Sequence, residues 1–140
     1  MKCVAIVDDD PRLRELIRDE LIDEGVEPVV CSDGETLLEL LDQRKVDLIL
    51  LDLMMPKMDG MTCLKRLSER SNLVPVLVVT AFNEDHKRSE AKALGASDFI
   101  LKPDLFELLP ELLERYLKAE FVIPVDDFGD GNRNVTTRPL

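Results

Sequence analysis

The chain alternates between short apolar runs and longer segments in which apolar residues recur every three or four positions. The short runs are rich in Val, Ile and Leu and predict five β-strands. These strands cover residues 3–7, 27–31, 47–51, 76–80 and 98–101. The run at 47–51 is nearly all apolar, which is typical of a central strand that is buried on both faces.

Five helices are predicted to follow these strands. Asp10 and Pro11 provide an N-cap with proline at the first helical position, and Gly25 ends this first helix. The other four helices are predicted at residues 34–44, about 59–70, about 85–94 and 105–118. Strict alternation of strands and helices with short connections predicts an α/β fold, a five-stranded parallel sheet covered on both faces by helices.

In such a sheet, ligands bind beyond the carboxyl ends of the strands. Polar residues stand at four of these ends: Asp8, Asp9 and Asp10; Asp52; Thr80; and Lys102 followed by Pro103. Crowded carboxylates favour a bound cation, because two like charges ~4 Å apart repel by about 4 kcal/mol at an effective dielectric near 20. An all-oxygen ligand set without histidine indicates Mg²⁺ or Mn²⁺ rather than zinc.

These groups together suit phosphoryl transfer. A divalent cation and the Lys102 ammonium stabilise charge on phosphoryl oxygens, the Thr80 hydroxyl donates a hydrogen bond, and a carboxylate serves as the nucleophile. Asp52 directly follows the buried strand at 47–51, where a lone charge is unfavourable unless it has a chemical role. We therefore predict that Asp52 accepts a phosphoryl group at a metal site.

Composition narrows the classes of partner. The 140 residues are enough for one domain and carry a formal net charge of −11. This sign opposes direct binding to nucleic acid or to anionic membrane surfaces. The sequence shows neither a signal-peptide pattern nor an apolar run near ~20 residues, so we expect a cytoplasmic protein. Cys3, Cys31 and Cys63 are expected to be buried thiols in a reducing compartment.

Four segments resemble the receiver domains of two-component response regulators. They are "IVDDDP" (6–11), "LILLDLMMPKMDG" (48–60), "VLVVTA" (76–81) and "LGASDFILKP" (94–103). The resemblance covers about residues 2–118 and implies a flavodoxin-like, doubly wound sheet with strand order 2-1-3-4-5. It also implies a phosphoacceptor switch rather than an enzyme that turns over a substrate.

The resemblance further implies a role for each matching position. Asp52 would be phosphorylated by the phosphohistidine of a sensor kinase or phosphotransfer protein. The implied Mg²⁺ ligands are Asp8, Asp9, Asp52 and the backbone carbonyl of Met54. The implied phosphate-binding and switch groups are Lys102, Thr80, the backbone N–H of Ala81, and Phe99, which turns inward when the domain is phosphorylated. Pro103 is expected to follow a cis peptide bond, and Met54 and Phe82 are expected to tune the lifetime of the phosphate.

The resemblance also implies protein partners. The face made by the fourth helix, the fifth strand and the fifth helix is expected to bind an output domain, a downstream protein or a second copy of the chain. Charged residues of the fourth helix would tune that choice: Lys87, Arg88, Glu90 and Lys92. His86, the only histidine, receives no role.

Two alternative functions are consistent with parts of the sequence. A haloacid-dehalogenase-type phosphatase would use Asp8 as nucleophile, with Asp10, Thr80, Lys102 and "GDG" (129–131). We disfavour it because it leaves Asp52 and "MMPKMDG" unexplained. A receiver used only for docking is disfavoured by the complete set of acids, Thr80 and Lys102. The segments "DFG" (127–129) and "DDFGDG" (126–131) lack the context of a kinase or calcium site.

Residues 119–140 lie beyond the family pattern, so we predict a receiver domain at 1–118 followed by a tail or linker. This tail is too short for a DNA-binding output domain. It is expected to be a flexible linker to an absent domain, a cloning remnant or a tail; alternatively, it uses "EFVIPV" (120–125) as an extra strand or a packed clip.

Overall fold

The computed structural model describes residues 1–55 and 57–117. Its strands are β1 (Cys3–Val7), β2 (Glu27–Cys31), β3 (Leu48–Asp52), β4 (Val76–Thr80) and β5 (Asp98–Leu101). All pair in parallel, in the order β2-β1-β3-β4-β5. This topology confirms the predicted flavodoxin-like α/β fold.

Five α-helices follow the strands within the described residues. They are α1 (Pro11–Asp23), α2 (Gly34–Gln43), α3 (Gly60–Glu69), α4 (Asp85–Ala93) and α5 (Leu105–Leu117). A 3-10 turn that the sequence did not predict, Lys102–Asp104, joins β5 to α5. The helices agree with the predicted ones to within a few residues, because caps and glycines mark their ends.

Aspartates cap three of these helices. The Asp10, Asp33 and Asp59 side chains accept hydrogen bonds from backbone N–H groups in the first turns of α1, α2 and α3, at distances of 3.0, 2.8 and 2.9 Å. Each cap satisfies an N–H that has no partner within its own helix. The caps therefore fix where each helix begins.

The core lies on both faces of the sheet, because successive side chains of a strand point in opposite directions. On one face, apolar side chains of β1, β3 and β4 pack with α2, α3 and α4. The alternate side chains of β1 and β3 are also buried, and α1 lies against β1 and β2. Strands buried on both sides give the carboxyl-end residues a rigid base.

All three cysteines are free and buried, as predicted. Burial raises the pKa of Cys31 to about 11 and that of Cys63 to about 12. Burial likewise raises the pKa of Cys3. These side chains act as small apolar groups of the core and stay protonated at neutral pH.

Contacts between Cα atoms group the chain into two units, Met1–Leu108 and Leu109–Leu140. The first unit contains the sheet, α1 to α4 and the start of α5. In the second, the described residues are the remainder of α5. The predicted boundary at 118/119, the predicted strand at 120–125 and the motifs at 126–131 lie outside the described residues or at their edge and stay predictions. No described helix is both long enough and apolar enough to cross a membrane.

Candidate functional site

The strand register brings the ends of β1 and β3 side by side. Val7 of β1 pairs with Leu51 of β3. The residues that follow this pair, Asp8 and Asp52, therefore lie next to each other at the edge of the sheet. Asp52 is itself the last residue of β3 and pairs with Val79 of β4. The central strands therefore present their polar ends at one edge of the sheet, as predicted for this fold class.

Three carboxylates meet at this edge. Asp8, Asp9 and Asp52 each offer an oxygen atom, and these atoms lie within 4.8 Å of one another. Asp8 and Asp52 are only 3% and 2% exposed, whereas Asp9 is exposed to solvent. Such a cluster is electrostatically unfavourable unless positive charge lies close to it.

Lys102 supplies one positive charge. Its Nζ atom lies 3.2 Å from Asp8 Oδ2 and 3.5 Å from Asp52 Oδ1. Burial lowers the pKa of Lys102, but the charges of Asp52 and Asp8 outweigh burial and leave the pKa raised. The lysine is therefore firmly protonated, yet one ammonium faces three carboxylates and the cluster stays negative.

The surroundings of Asp52 disfavour its charged form. Burial, together with the charge of Asp8, raises its pKa to about 6, although Lys102 acts in the opposite direction. Its Oδ1 atom accepts a hydrogen bond from the Met54 N–H at 3.3 Å. Its Oδ2 atom is buried and has no hydrogen-bond partner among the described residues. An unpartnered carboxylate oxygen within an all-oxygen donor set fits a hard divalent cation such as Mg²⁺ or Mn²⁺.

Gly60 allows α3 to begin directly beside the end of β3. Its N–H donates to the Leu53 carbonyl at 3.0 Å. A Cβ atom at this position would clash with the Asp52 carbonyl oxygen and would lie 2.6 Å from the Leu53 Cα atom. Only glycine permits this approach, which holds the backbone on both sides of the loop at 53–59 that contains Met54.

The loop between β1 and α1 has a more elaborate set of bonds. The Asp8 carboxylate accepts a hydrogen bond from the Asp10 N–H at 2.8 Å, and Asp10 caps α1. Arg14, one turn into α1, donates from Nη1 to the Asp8 carbonyl at 2.7 Å. Arg14 is not predicted as a site residue, because no sequence pattern distinguishes it from the other charged residues of this helix.

Thr80 ends β4 with its side chain buried, 2% exposed. Its Oγ1 atom accepts a long hydrogen bond, 3.4 Å, from the Phe82 N–H. Ala81 and Phe82 follow on the surface, and Phe82 is 56% exposed. Met54, two residues after Asp52, is 57% exposed, so an exposed apolar side chain follows each of the buried residues Asp52 and Thr80 by two positions.

Phe99 lies in β5 and is only partly buried. The Arg88 guanidinium of α4 lies over its ring, 4.6 Å from the ring centroid. Arg88 also donates from Nη2 to the Asn83 Oδ1 atom at 3.0 Å. One side chain therefore joins the Phe99 ring to the loop that follows Thr80.

The prediction of a cis peptide bond before Pro103 is wrong, since every described peptide bond is trans. Pro103 lies in the 3-10 turn Lys102–Asp104, which continues directly from β5. In a first turn, the missing proline N–H leaves no hydrogen bond unmade, and the fixed φ of proline suits the turn. Lys102 reaches both carboxylates from this trans arrangement.

Comparisons with known proteins agree with this geometry. The chain is 35% identical over 102 residues to the alkaline phosphatase synthesis regulator PhoP of Bacillus subtilis, covering 73% of this chain and 42% of PhoP. It is 41% identical over 103 residues to the transcriptional regulator CpxR of Escherichia coli, covering 74% of this chain and 44% of CpxR. The chain thus spans less than half the length of these two regulators.

Among solved structures, the response regulator TrrA of Thermotoga maritima, in complex with Mg²⁺-BeF, superimposes with a TM-score of 0.74. The match has 29% sequence identity and covers 83% of this chain and 99% of that one. The family profile described as response regulator receiver domain matches residues 4–114. The chain therefore belongs to the response regulator receiver domain family.

Proposed function

We propose that Asp52 is the phosphoacceptor of this receiver domain. The observation that carries the proposal is the buried Asp52 carboxylate. Its Oδ1 atom lies 3.5 Å from Lys102 Nζ, and its Oδ2 atom has no hydrogen-bond partner among the described residues. An Asp52 carboxylate oxygen attacks the phosphorus of a phosphohistidine, an O–P bond forms, the P–N bond breaks, and the imidazole leaves with the bonding electrons. The domain thereby changes state once per phosphorylation and is not a turnover enzyme.

Asp8, Asp9 and Asp52 are the side chains proposed to hold Mg²⁺ or Mn²⁺, with the Met54 carbonyl as a further ligand. The cation would supply positive charge for the phosphoryl oxygens. Support comes from the three oxygen donors within 4.8 Å and from the excess negative charge that Lys102 leaves. The Mg²⁺-BeF complex of TrrA is consistent with this assignment.

Lys102, Thr80 and the Ala81 N–H are proposed to bind the phosphoryl oxygens. Lys102 already lies 3.5 Å from Asp52 Oδ1, so it is close enough to pair with a phosphoryl oxygen attached to that side chain. Thr80 would give up its long hydrogen bond from the Phe82 N–H, and its hydroxyl would donate a hydrogen bond to a phosphoryl oxygen. The charged phosphoryl oxygens are strong acceptors, which favours this exchange.

Treatment with acetyl phosphate and Mg²⁺ tests this assignment. Borohydride reduces an acyl phosphate on aspartate to homoserine, and peptide mass spectrometry then locates the modified residue. We expect modification of Asp52 and none in Asp52→Asn. Modification of Asp8 instead would support the phosphatase alternative, and absence of any uptake would support a receiver that only docks.

Phosphorylation is proposed to act on partners through α4 and β5. Thr80 moving toward the phosphate would vacate space for Phe99, whose ring now contacts Arg88. A groove of about 240 Å³ lies beside them, lined in part by Lys92 and Ser97. The proposed occupants are an output domain, a downstream protein or, with α5, a second copy of the chain. Since coupling is reciprocal, partner binding should favour phosphorylation.

The proposed upstream partner is a sensor histidine kinase or a phosphotransfer protein. The strongly negative charge of the chain opposes direct binding of this domain to nucleic acid. Three free, buried thiols support a reducing, cytoplasmic location. The output of the whole protein is a separate question, because the matched regulators are more than twice as long as the matched segment.

Met54 and Phe82 are proposed to prolong the life of the phosphate. Both are exposed apolar side chains, two residues after Asp52 and Thr80 respectively, and such side chains cannot orient an attacking water by hydrogen bonding. Combining Met54→Asn with Phe82→Glu should shorten the half-life of phosphorylated Asp52 severalfold, measured by loss of the acyl phosphate. Leu73→Glu, a similar change at a side chain that is 95% exposed, is the control; unchanged decay in the double variant contradicts the proposal.

A further inference from the structure

The loop Asp8–Asp10 carries two of the three clustered carboxylates, and repulsion acts to open it. Asp8 is held at its N–H, which donates to the Cys31 carbonyl at 3.2 Å, and at its side chain, which accepts from the Asp10 N–H. Asp9 is exposed, so the position of its carboxylate is set by the orientation of its backbone rather than by packing. The group that fixes this direction is the peptide unit between Asp8 and Asp9.

Arg14 binds that peptide unit. Its Nη1 atom donates to the Asp8 carbonyl oxygen, which is part of the Asp8–Asp9 peptide, at 2.7 Å. Arg14 is itself fixed to the same loop, because its backbone N–H donates to the Asp10 carbonyl at 3.0 Å. The side chain is partly buried, so water competes only in part for this charge-assisted bond.

We propose that Arg14 is a positioning residue for the cation site. By holding the Asp8–Asp9 peptide plane, it keeps the two side chains on the same side of the loop as Asp52, against their mutual repulsion. The inference rests on the proposed function, since the cation it serves is the proposed Mg²⁺. Groups that orient metal ligands without touching the metal typically change metal affinity by about 10- to 100-fold when removed.

A positioning role and a purely electrostatic role of Arg14 predict opposite changes in Mg²⁺ affinity when the side chain is removed. A guanidinium beside three carboxylates repels a cation, so removing its charge alone would tighten Mg²⁺ binding. Loss of positioning would weaken Mg²⁺ binding, because Asp9 would no longer be held close to Asp8 and Asp52. The direction of the change in affinity therefore separates the two roles.

Arg14→Gln and Arg12→Gln form a matched pair for this test. Both remove one positive charge from the first turn of α1, but Arg12 is exposed. We measure Mg²⁺ dissociation constants by isothermal titration calorimetry with the full chain, after checking that each variant melts cooperatively. We expect Arg14→Gln to bind Mg²⁺ about tenfold more weakly than the unsubstituted protein. Arg12→Gln should bind equally or slightly more tightly. Equal or tighter binding by Arg14→Gln overturns the inference.

Phosphorylation by acetyl phosphate gives a second readout. Arg14→Gln should need about tenfold more Mg²⁺ for half-maximal rate, while the rate at saturating Mg²⁺ stays close to that of the unsubstituted protein. A lower plateau with an unchanged Mg²⁺ requirement would overturn the positioning role. If Arg14→Gln does not fold, Arg14→Met replaces it, with Arg12→Met as control. Because methionine has neither the charge nor the N–H donor, weaker Mg²⁺ binding by Arg14→Met alone supports the inference, and equal or tighter binding overturns it.

Failure of the inference and failure of the proposed function give different results. If the unsubstituted chain shows no saturable Mg²⁺ binding, the proposed cation site is wrong and Arg14 has nothing to position. If the unsubstituted chain binds Mg²⁺ and Arg14→Gln binds it equally well, only the role of Arg14 is wrong.

Discussion

Two aspartates stand at opposite ends of the same strand, one just before β3 and one at its end, and their surroundings differ. The Asp47 side chain is 14% exposed, accepts the Cys3 N–H at 2.8 Å and lies 3.7 Å from the Lys45 Nζ atom. The Asp47 N–H in turn donates to the Cys3 carbonyl at 2.8 Å. Asp52 is more deeply buried, shares its ammonium with Asp8, and has a carboxylate oxygen without a hydrogen bond among the described residues.

The difference separates a carboxylate that stabilises the fold from one that the fold holds at a cost. Asp47 joins β1 to the start of β3 through two reciprocal bonds, and nothing about it calls for a ligand. The raised pKa of Asp52 reports that its charged form is unfavourable in the folded protein. A cation at the proposed site, or a covalent bond from Asp52 to a phosphoryl group, would recover that energy.

Removing the lysine beside each aspartate should show the largest contrast. Lys102→Met leaves Asp8 and Asp52 without their ammonium and should lower the free energy of unfolding by about 4 kcal/mol at pH 8, as for broken buried ion pairs. Lys45→Met is the matched control. Its side chain is 84% exposed, and the loss should stay below about 0.5 kcal/mol. Urea unfolding without Mg²⁺ measures the loss of unfolding free energy in both variants. Equal losses would contradict the expected difference between the two lysines.

Asp52→Asn should stabilise the metal-free protein at pH 8. A carboxyl pKa of about 6 in the folded protein, against about 4 when unfolded, corresponds to an increase in the free energy of unfolding of at most about 3 kcal/mol. Urea unfolding gives the value. Asp19→Asn, on the exposed face of α1, removes one negative charge without removing a buried one and should change stability by no more than about 0.5 kcal/mol.

The advantage of Asp52→Asn should also depend on pH. As pH falls through about 6, Asp52 binds a proton in the folded protein while the unfolded chain stays ionised until about 4. The folded state then holds more protons, so the unsubstituted protein gains stability as pH decreases across this interval. The difference between the two proteins should therefore shrink between pH 8 and pH 5. A difference that is constant over this range would argue against a strained Asp52.

Asp47→Asn should have the opposite and smallest effect. The amide oxygen still accepts the Cys3 N–H, but the bond loses its charge and Lys45 loses its partner. We expect the free energy of unfolding to fall by about 1 kcal/mol, measured under the same conditions. An increase in stability would place Asp47 in the same class as Asp52.

The elements and the clustered residues could be predicted from the sequence because each has a local signature. The strands are apolar runs, the caps are aspartates, and the residues after each strand must meet at one edge of a parallel sheet. Asp8, Asp9, Asp52 and Lys102 follow from that rule, and the structure places them within reach of one another.

Features that depend on contacts between different elements of the fold could not be predicted from such local patterns. The direction of the Arg14 side chain follows from how α1 leaves the loop, which an arginine among many charged residues does not signal. The trans bond before Pro103 depends on how β5 passes into the 3-10 turn. The contact between Arg88 and Phe99 joins a helix to a strand, and neither sequence pattern specifies it.

The three buried thiols make this receiver convenient for site-directed labelling. With pKa values of Cys31 and Cys63 at about 11 and about 12 and no solvent access to Cys3, all three stay unreactive toward maleimides at neutral pH. A Ser89→Cys substitution on the exposed surface of α4 would then carry a single fluorophore without replacing any native cysteine. Such a dye would test in real time whether α4 moves when the domain is treated with acetyl phosphate and Mg²⁺.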